Sequence, residues 1–202
     1  MSGFSRDLWS PRPAEENRAL YADWAEGYDA DLVEAGYATP DRVARALADH
    51  LPDRAAPVMD FGCGTGLSGE ALARAGFTTI DGTDITTEML AKARGKGVYR
   101  DLTVGTPGEA GDLTAHAAVV ATGVISLGAA PAATLPMLLD AMAPGALLVF
   151  SFNDSTLADR DYLLTLAEAQ LAGSTLIWAQ HGPHLPGHEG ARGATVHVLR
   201  RA

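Results

Sequence analysis

Three glycines at alternate positions, in Asp60-Phe61-Gly62-Cys63-Gly64-Thr65-Gly66, follow a short apolar run over residues 57–61 and precede helical spacing over 67–75. Glycine lets the chain turn sharply and lets a ligand approach the backbone with no Cβ in the way. A helix that starts there turns its free N–H groups toward the same space. Strand, glycine turn and helix are half of a βαβ unit, so this segment commits the chain to a parallel sheet.

The alternation continues downstream. Residues 78–83 read as a second strand, and Thr86 caps a helix that carries Met89, Leu90 and Ala93 and ends near Gly95. Residues 98–104 read as a third strand and the small, β-branched run 117–125 as a central one. A helix over 134–143 lines up Leu135, Leu138, Leu139 and Met142. Then come a strand at 147–152 and a helix at 157–172 closed by Gly173. Residues 175–178 and 195–199 read as a last, antiparallel pair joined by a loop rich in glycine and proline. Strands that are continuously apolar, rather than alternating, are covered on both faces. The fold class is therefore α/β, Rossmann-like, with a mostly parallel sheet between helices. Ahead of the first strand, 19–31 reads as one helix with Leu20, Trp24 and Tyr28 at four-residue spacing. Thr39-Pro40-Asp41 reads as the capped start of another. Residues 1–18 are expected to form an arm, with Trp9 as an anchor, and 19–202 a single domain.

Composition narrows the setting. The chain has 202 residues and a formal net charge of −10, which disfavours bulk electrostatic binding to nucleic acid or to an anionic membrane. One cysteine, Cys63, allows no internal disulfide and fits a reducing compartment. No apolar run reaches the length of a membrane span, and the start lacks the layout of a signal peptide. A cytoplasmic protein acting on a small molecule is expected, with its oligomeric state left open.

Asp84, at the end of the second strand, is placed to accept hydrogen bonds from both ribose hydroxyls of an adenosine ligand. Two glycine registers compete for that ligand. A dinucleotide fingerprint fails from Gly62, where Leu67 takes the third glycine position. It is met from Gly64 as Gly64-x-Gly66-x-x-Gly69, late in the loop. The register acidic-x-Gly-x-Gly-x-Gly is met in full from Asp60. A carboxylate there would repel a pyrophosphate, but it can order the loop or bind, through water, the ammonium of an amino-acid moiety.

Asp60 to Gly66, followed by Gly82-Thr83-Asp84-Ile85-Thr86 and Met89-Leu90, resembles the class I S-adenosylmethionine-dependent methyltransferases. More narrowly, the chain is similar to the small methyltransferase-like group that includes the Williams–Beuren-region methyltransferase. The supporting segments are Trp24-Ala25-Glu26-Gly27-Tyr28-Asp29, Gly97-Val98-Tyr99, Gly123-Val124-Ile125, Pro144-Gly145 and Phe150-Ser151-Phe152-Asn153-Asp154. The resemblance implies a seven-stranded sheet with an antiparallel strand near the C-terminus. It implies S-adenosyl-L-methionine as donor and S-adenosyl-L-homocysteine as product. It also implies donor contacts from Asp60, Gly62, Cys63, Gly64, Gly66 and Leu67, from Asp84, Ile85 and Met89, from Thr106 and Gly123, and from Trp24 and Tyr28. Thr106 stands where that group often carries an acidic residue on the adenine side, so adenine recognition here would fall to a hydroxyl and to nearby N–H groups. Cys63 reads as a packing residue rather than a reactive thiol.

Methyl transfer of this kind needs donor and acceptor held in line, and no covalent enzyme intermediate. An oxygen acceptor would call for a general base. Asn153, Asp154, His181, His184 and His188 are the candidates, and the sequence promotes none of them. His181, His184 and His188 lie in a glycine- and proline-rich segment that gives no metal-site geometry, so no metal is expected. Two other readings remain: a nicotinamide-dependent (NAD(P)) oxidoreductase using the late glycine register, and a non-catalytic cofactor-binding module.

Overall fold

The computed structural model describes residues 10–187 and 193–202. Seven strands, β1 (Val58–Phe61), β2 (Ile80–Asp84), β3 (Asp101–Val104), β4 (Ala118–Ala121), β5 (Leu147–Asn153), β6 (Thr175–Pro183) and β7 (Gly193–Arg200), form one sheet in the order β3-β2-β1-β4-β5-β7-β6. The pairs from β3 through β5 are parallel, and β7 runs antiparallel to both β5 and β6. The order reverses between β1 and β4. A switch point of this kind opens a crevice at the carboxyl ends of the strands.

Side-chain alternation explains why the central strands read as unbroken apolar runs. Val119 and Ala121 of β4, with Leu148, Phe150 and Phe152 of β5, pack on Leu135 and Leu138 of α6 (Thr134–Ala141) and Tyr162 and Leu166 of α8 (Arg160–Leu171). Ala118, Val120, Leu147 and Val149 face the other way, onto Val43 and Leu47 of α3 (Thr39–His50) and Ala71 and Leu72 of α4 (Leu67–Arg74). β4 and β5 thus bury both of their faces.

Several boundaries depart from the sequence reading. The single helix expected over 19–31 is two, α1 (Ala14–Trp24) and α2 (Tyr28–Glu34), and α1 starts inside the stretch expected to be an arm. The break falls at Gly27, whose N–H bonds back to the Trp24 carbonyl and which caps α2. Trp9 lies outside the described residues. Thr39 does not cap α3: Ala38 does, and the Thr39 hydroxyl is bonded to His184. Thr86 occupies the cap position of α5 (Thr87–Lys96), but its side chain makes no capping bond, and the helix ends at Gly97, which takes a positive φ, rather than at Gly95.

β4 stops at Ala121 because Gly123, with φ 71°, turns the chain; Ile125 beyond it is fully buried. The helix expected over 157–172 is α7 (Asp154–Leu157) and α8, capped separately by Asn153 and Asp159. β6 and β7 run several residues further than their apolar cores. The Arg42 guanidinium fastens that extension, donating to the carbonyls of Gln180, Pro183 and Ala194 at 2.7–2.9 Å. Among the described residues, no helix is long and apolar enough to cross a membrane.

Candidate functional site

The glycine loop, residues 62–66, joins β1 to α4 at the crevice. All three of its glycines have positive φ: 69° at Gly62, 54° at Gly64 and 96° at Gly66. They serve different purposes. A Cβ on Gly62 would lie 2.5 Å from the Val124 side chain, so this glycine lets the loop after β4 close in. A Cβ on Gly64 would meet nothing within 4 Å. Its backbone therefore borders open space, where a ligand can reach it.

Asp84, the last residue of β2, is built into that loop. Its Oδ2 accepts from Gly64 N–H at 2.9 Å and its Oδ1 from Thr86 N–H at 2.8 Å. Burial pushes its carboxyl above the usual carboxylate range, and the amides of Thr86 and Gly64 oppose that shift.

Asp60 is fully buried near the end of β1. Its Oδ2 accepts from Ser68 Oγ at 2.6 Å and from the Tyr99 hydroxyl at 2.7 Å, while Oδ1 has no protein partner. Burial pushes its pKa up to about 6, against the pull of those two hydroxyls. A buried carboxylate oxygen without a partner is costly, which marks a position kept for something beyond the fold.

Tyr99, noted only within the segment Gly97-Val98-Tyr99, and Ser68 were given no role from the sequence. Tyr99 reaches Asp60 by crossing two glycines: a Cβ on Gly69 would lie 2.3 Å from its ring, and one on Gly82 3.0 Å. Gly69 is thereby accounted for as room for Tyr99, which removes the reason to read it as the third glycine of a dinucleotide fingerprint.

The remaining predicted contacts separate. Cys63 turns its side chain into a cluster with Leu90, Ala93, Tyr99 and Leu102, and burial pushes its thiol far up, so only its backbone faces the loop. Met89 is wholly inside the core, whereas Leu67 and Ile85 are half-buried around the loop. Thr106 is exposed beyond β3, where the following glycine loop begins.

Trp24 and Tyr28, although on separate helices, still meet edge to face with ring centroids 4.6 Å apart. With Tyr21, Tyr37, Gly123, Ser151 and His184 they line a cleft of about 570 Å³, part of it open to solvent. Asp29 ties this roof to the glycine loop. It accepts from Thr65 Oγ1 and pairs with Lys96 Nζ at 2.8 Å, and Lys96 also pairs with Glu70 at 2.7 Å.

The general-base candidates resolve by position. Asn153 caps α7 by accepting from Thr156 N–H. Asp154 is bonded to His181 and to Gly193 N–H at the exposed edge of the sheet. His184 is buried and lines the cleft. His188 lies outside the described residues. His181 stands on β6 rather than in a loop, because the Arg42 clamp extends that strand.

Comparison with known proteins agrees with this geometry. The family described as Methyltransferase domain matches residues 31–189. Methyltransferase-like protein 27 of Homo sapiens is 31% identical over 162 residues, which cover 76% of this chain and 66% of that protein's length. The magnesium protoporphyrin IX methyltransferase of Synechocystis PCC 6803, solved with S-adenosylmethionine bound, superposes with a TM-score of 0.64 at 19% identity, covering 86% of this chain and 82% of that one. A TehB-like S-adenosylmethionine-dependent methyltransferase from Corynebacterium glutamicum gives 0.62 at 21% identity, covering 91% and 99%. The two solved structures share the fold.

Proposed function

The chain belongs to the methyltransferase-domain family, and from that premise we propose that it transfers a methyl group from S-adenosylmethionine to a small-molecule acceptor. The observation that carries the reading is the pairing of Asp84 with the open backbone of Gly64 at the switch point. Asp84 would take the ribose hydroxyls. The open face of Gly64 would let the nucleoside lie against the backbone. The free Oδ1 of Asp60 would answer the donor's ammonium through water. Bound there, the donor supplies an electrophilic methyl on a cationic sulfur. The chain's own part is to orient that methyl, to exclude water beneath α1 and α2, and to hold the acceptor in the aromatic cleft.

A small-molecule acceptor is favoured by the cleft's uncharged, largely aromatic lining and by the net charge of −10. The test is calorimetry with S-adenosylhomocysteine, with NAD as a control, followed by transfer of labelled methyl to fractionated small molecules. One site per chain for the first ligand and none for the second is expected. Binding of NAD alone would overturn the donor. A tight gel shift with RNA or DNA would overturn the acceptor class.

A further inference from the structure

Among the described residues, the cleft holds one basic group that the donor site does not use, His184. His184 Nδ1 lies 2.7 Å from Thr39 Oγ1, and the His184 carbonyl accepts from Ala38 N–H at 2.9 Å, so ring and backbone are both fixed to the start of α3. The Tyr37 ring stands edge-on to the imidazole at 5.3 Å between centroids. The Tyr37 hydroxyl in turn would lie 2.8 Å from a Cβ on Gly123, at the end of the fourth strand. Tyr37 thus links His184 to the loop that follows β4. Nε2 has no hydrogen-bond partner among the described residues and is not sealed from solvent, and the residue lines the cleft.

The other polar groups of the lining are spoken for or are hydroxyls, Ser126 among them, too weakly basic to take a proton at neutral pH. Ser151 Oγ accepts from Gly123 N–H and Asn153 Oδ1 from Thr156 N–H. Tyr21, Tyr28 and Tyr37 are held protonated, because burial raises each of them, Tyr21 to about 12. Among the described residues, no Asp, Glu, Lys or Arg lines the cleft. Burial and the charge of Arg42 lower His184 to about 4, with Asp154 opposing, so the ring is a free base at neutral pH.

Resting on the donor reading above, we propose that the acceptor is an uncharged aromatic alcohol of the phenol class, that His184 Nε2 takes its proton, and that Thr39 is the positioning residue. The rings of Tyr21, Trp24, Tyr28 and Tyr37 suit a planar acceptor. The hydroxyl oxygen forms a bond to the methyl carbon as the carbon–sulfur bond breaks, its electrons passing to sulfur. The hydroxyl proton moves to Nε2, and the imidazolium releases it to solvent after the products leave. The products are an aryl methyl ether and S-adenosylhomocysteine. A weak base suffices, because the proton becomes strongly acidic as the oxygen gains its third bond. The mechanism requires one tautomer: Nδ1–H donating to Thr39 Oγ1, which leaves the Nε2 lone pair toward the acceptor.

Two measurements test this. In ¹⁵N-labelled protein, with His184→Gln for assignment, imidazole shifts at neutral pH should show the proton on Nδ1. A proton on Nε2 would make His184 a donor and overturn the proposal without any acceptor present. Second, wild type is assayed with phenol, 4-nitrophenol, aniline and thiophenol as methyl acceptors. Transfer to the phenols is expected. His184→Gln should cut the rate with phenol about a hundredfold while S-adenosylhomocysteine affinity is unchanged, and Thr39→Val about tenfold. The loss should shrink with 4-nitrophenol, which is already largely ionised at mildly alkaline pH. Equal losses across the two phenols, or transfer only to the amine or thiol, or to none of the four, would overturn it. Failure to bind S-adenosylhomocysteine at all would instead be a failure of the donor reading.

Discussion

Two buried aspartates on neighbouring strands, Asp81 and Asp60, have opposite surroundings. Asp81, near the start of β2, is paired with the Arg100 guanidinium and with His116 Nε2 at 2.9 Å. Burial raises its carboxyl, but Arg100 and His116 outweigh that and hold it below the usual range. Asp60, near the carboxyl end of β1, has only two hydroxyls and one oxygen with no partner, and its pKa is raised to about 6. One carboxylate is satisfied by the fold and the other is not. The difference follows their positions: the carboxylate at the amino end of β2 is closed off by Arg100 and His116, whereas the one at the carboxyl end of β1 keeps an oxygen for a ligand.

The largest effect belongs to Asp84, which serves loop and ligand together. Asp84→Ala should weaken S-adenosylhomocysteine binding at least about a hundredfold, since two charge-assisted hydrogen bonds are lost at roughly 1.5–3 kcal/mol each. Calorimetry checks it, with circular dichroism to confirm the fold.

Exchanging each contrasted aspartate for asparagine should move stability in opposite directions. For Asp60 the folded protein binds its proton more tightly than the unfolded chain does. The penalty is absent below the unfolded pKa, grows as pH rises toward 6, and is full above it. Asp60→Asn should therefore stabilise the unliganded protein by up to about 3 kcal/mol above that pH and by little at strongly acidic pH, while weakening donor binding about tenfold. Asp81→Asn should lower stability by about 1–3 kcal/mol and leave donor affinity unchanged. Denaturant melts at two pH values, with calorimetry, read all of these. A loss of stability in Asp60→Asn would break the comparison.

The smallest effect is the pH dependence of the intact protein. If the ionised Asp60 answers the donor's ammonium, S-adenosylhomocysteine affinity should fall by up to about tenfold in all as pH drops below about 6. In Asp60→Asn that slope should be flat.

Much of the sheet was legible because its strands are continuously apolar and its turns carry glycine. The loop, Asp60 and Asp84 were legible because each must sit at a fixed distance along the chain from a strand end. What escaped depends on contacts between distant segments. Tyr99 completes Asp60 from 39 residues away, and its path is recorded only in two glycines, Gly69 and Gly82, that look like ordinary helix and strand positions. Gly69 in particular imitated a different fingerprint. Thr39 had the local signature of a cap, but a histidine 145 residues on claims its hydroxyl. His184 sat in a segment that local composition marks as loop, and its burial comes from α3 packing over it. The extension of β6 to Pro183 has no period-2 signal, since Arg42 supplies the stabilisation from outside the strand.

The most direct measurement is isothermal titration of wild type, Asp84→Ala and Asp81→Asn with S-adenosylhomocysteine at one pH above 7. Binding at one site per chain in wild type and Asp81→Asn, and its loss in folded Asp84→Ala, is the predicted result. Equal binding by all three, or none by a folded wild type, would contradict the placement of the donor at the carboxyl end of the sheet.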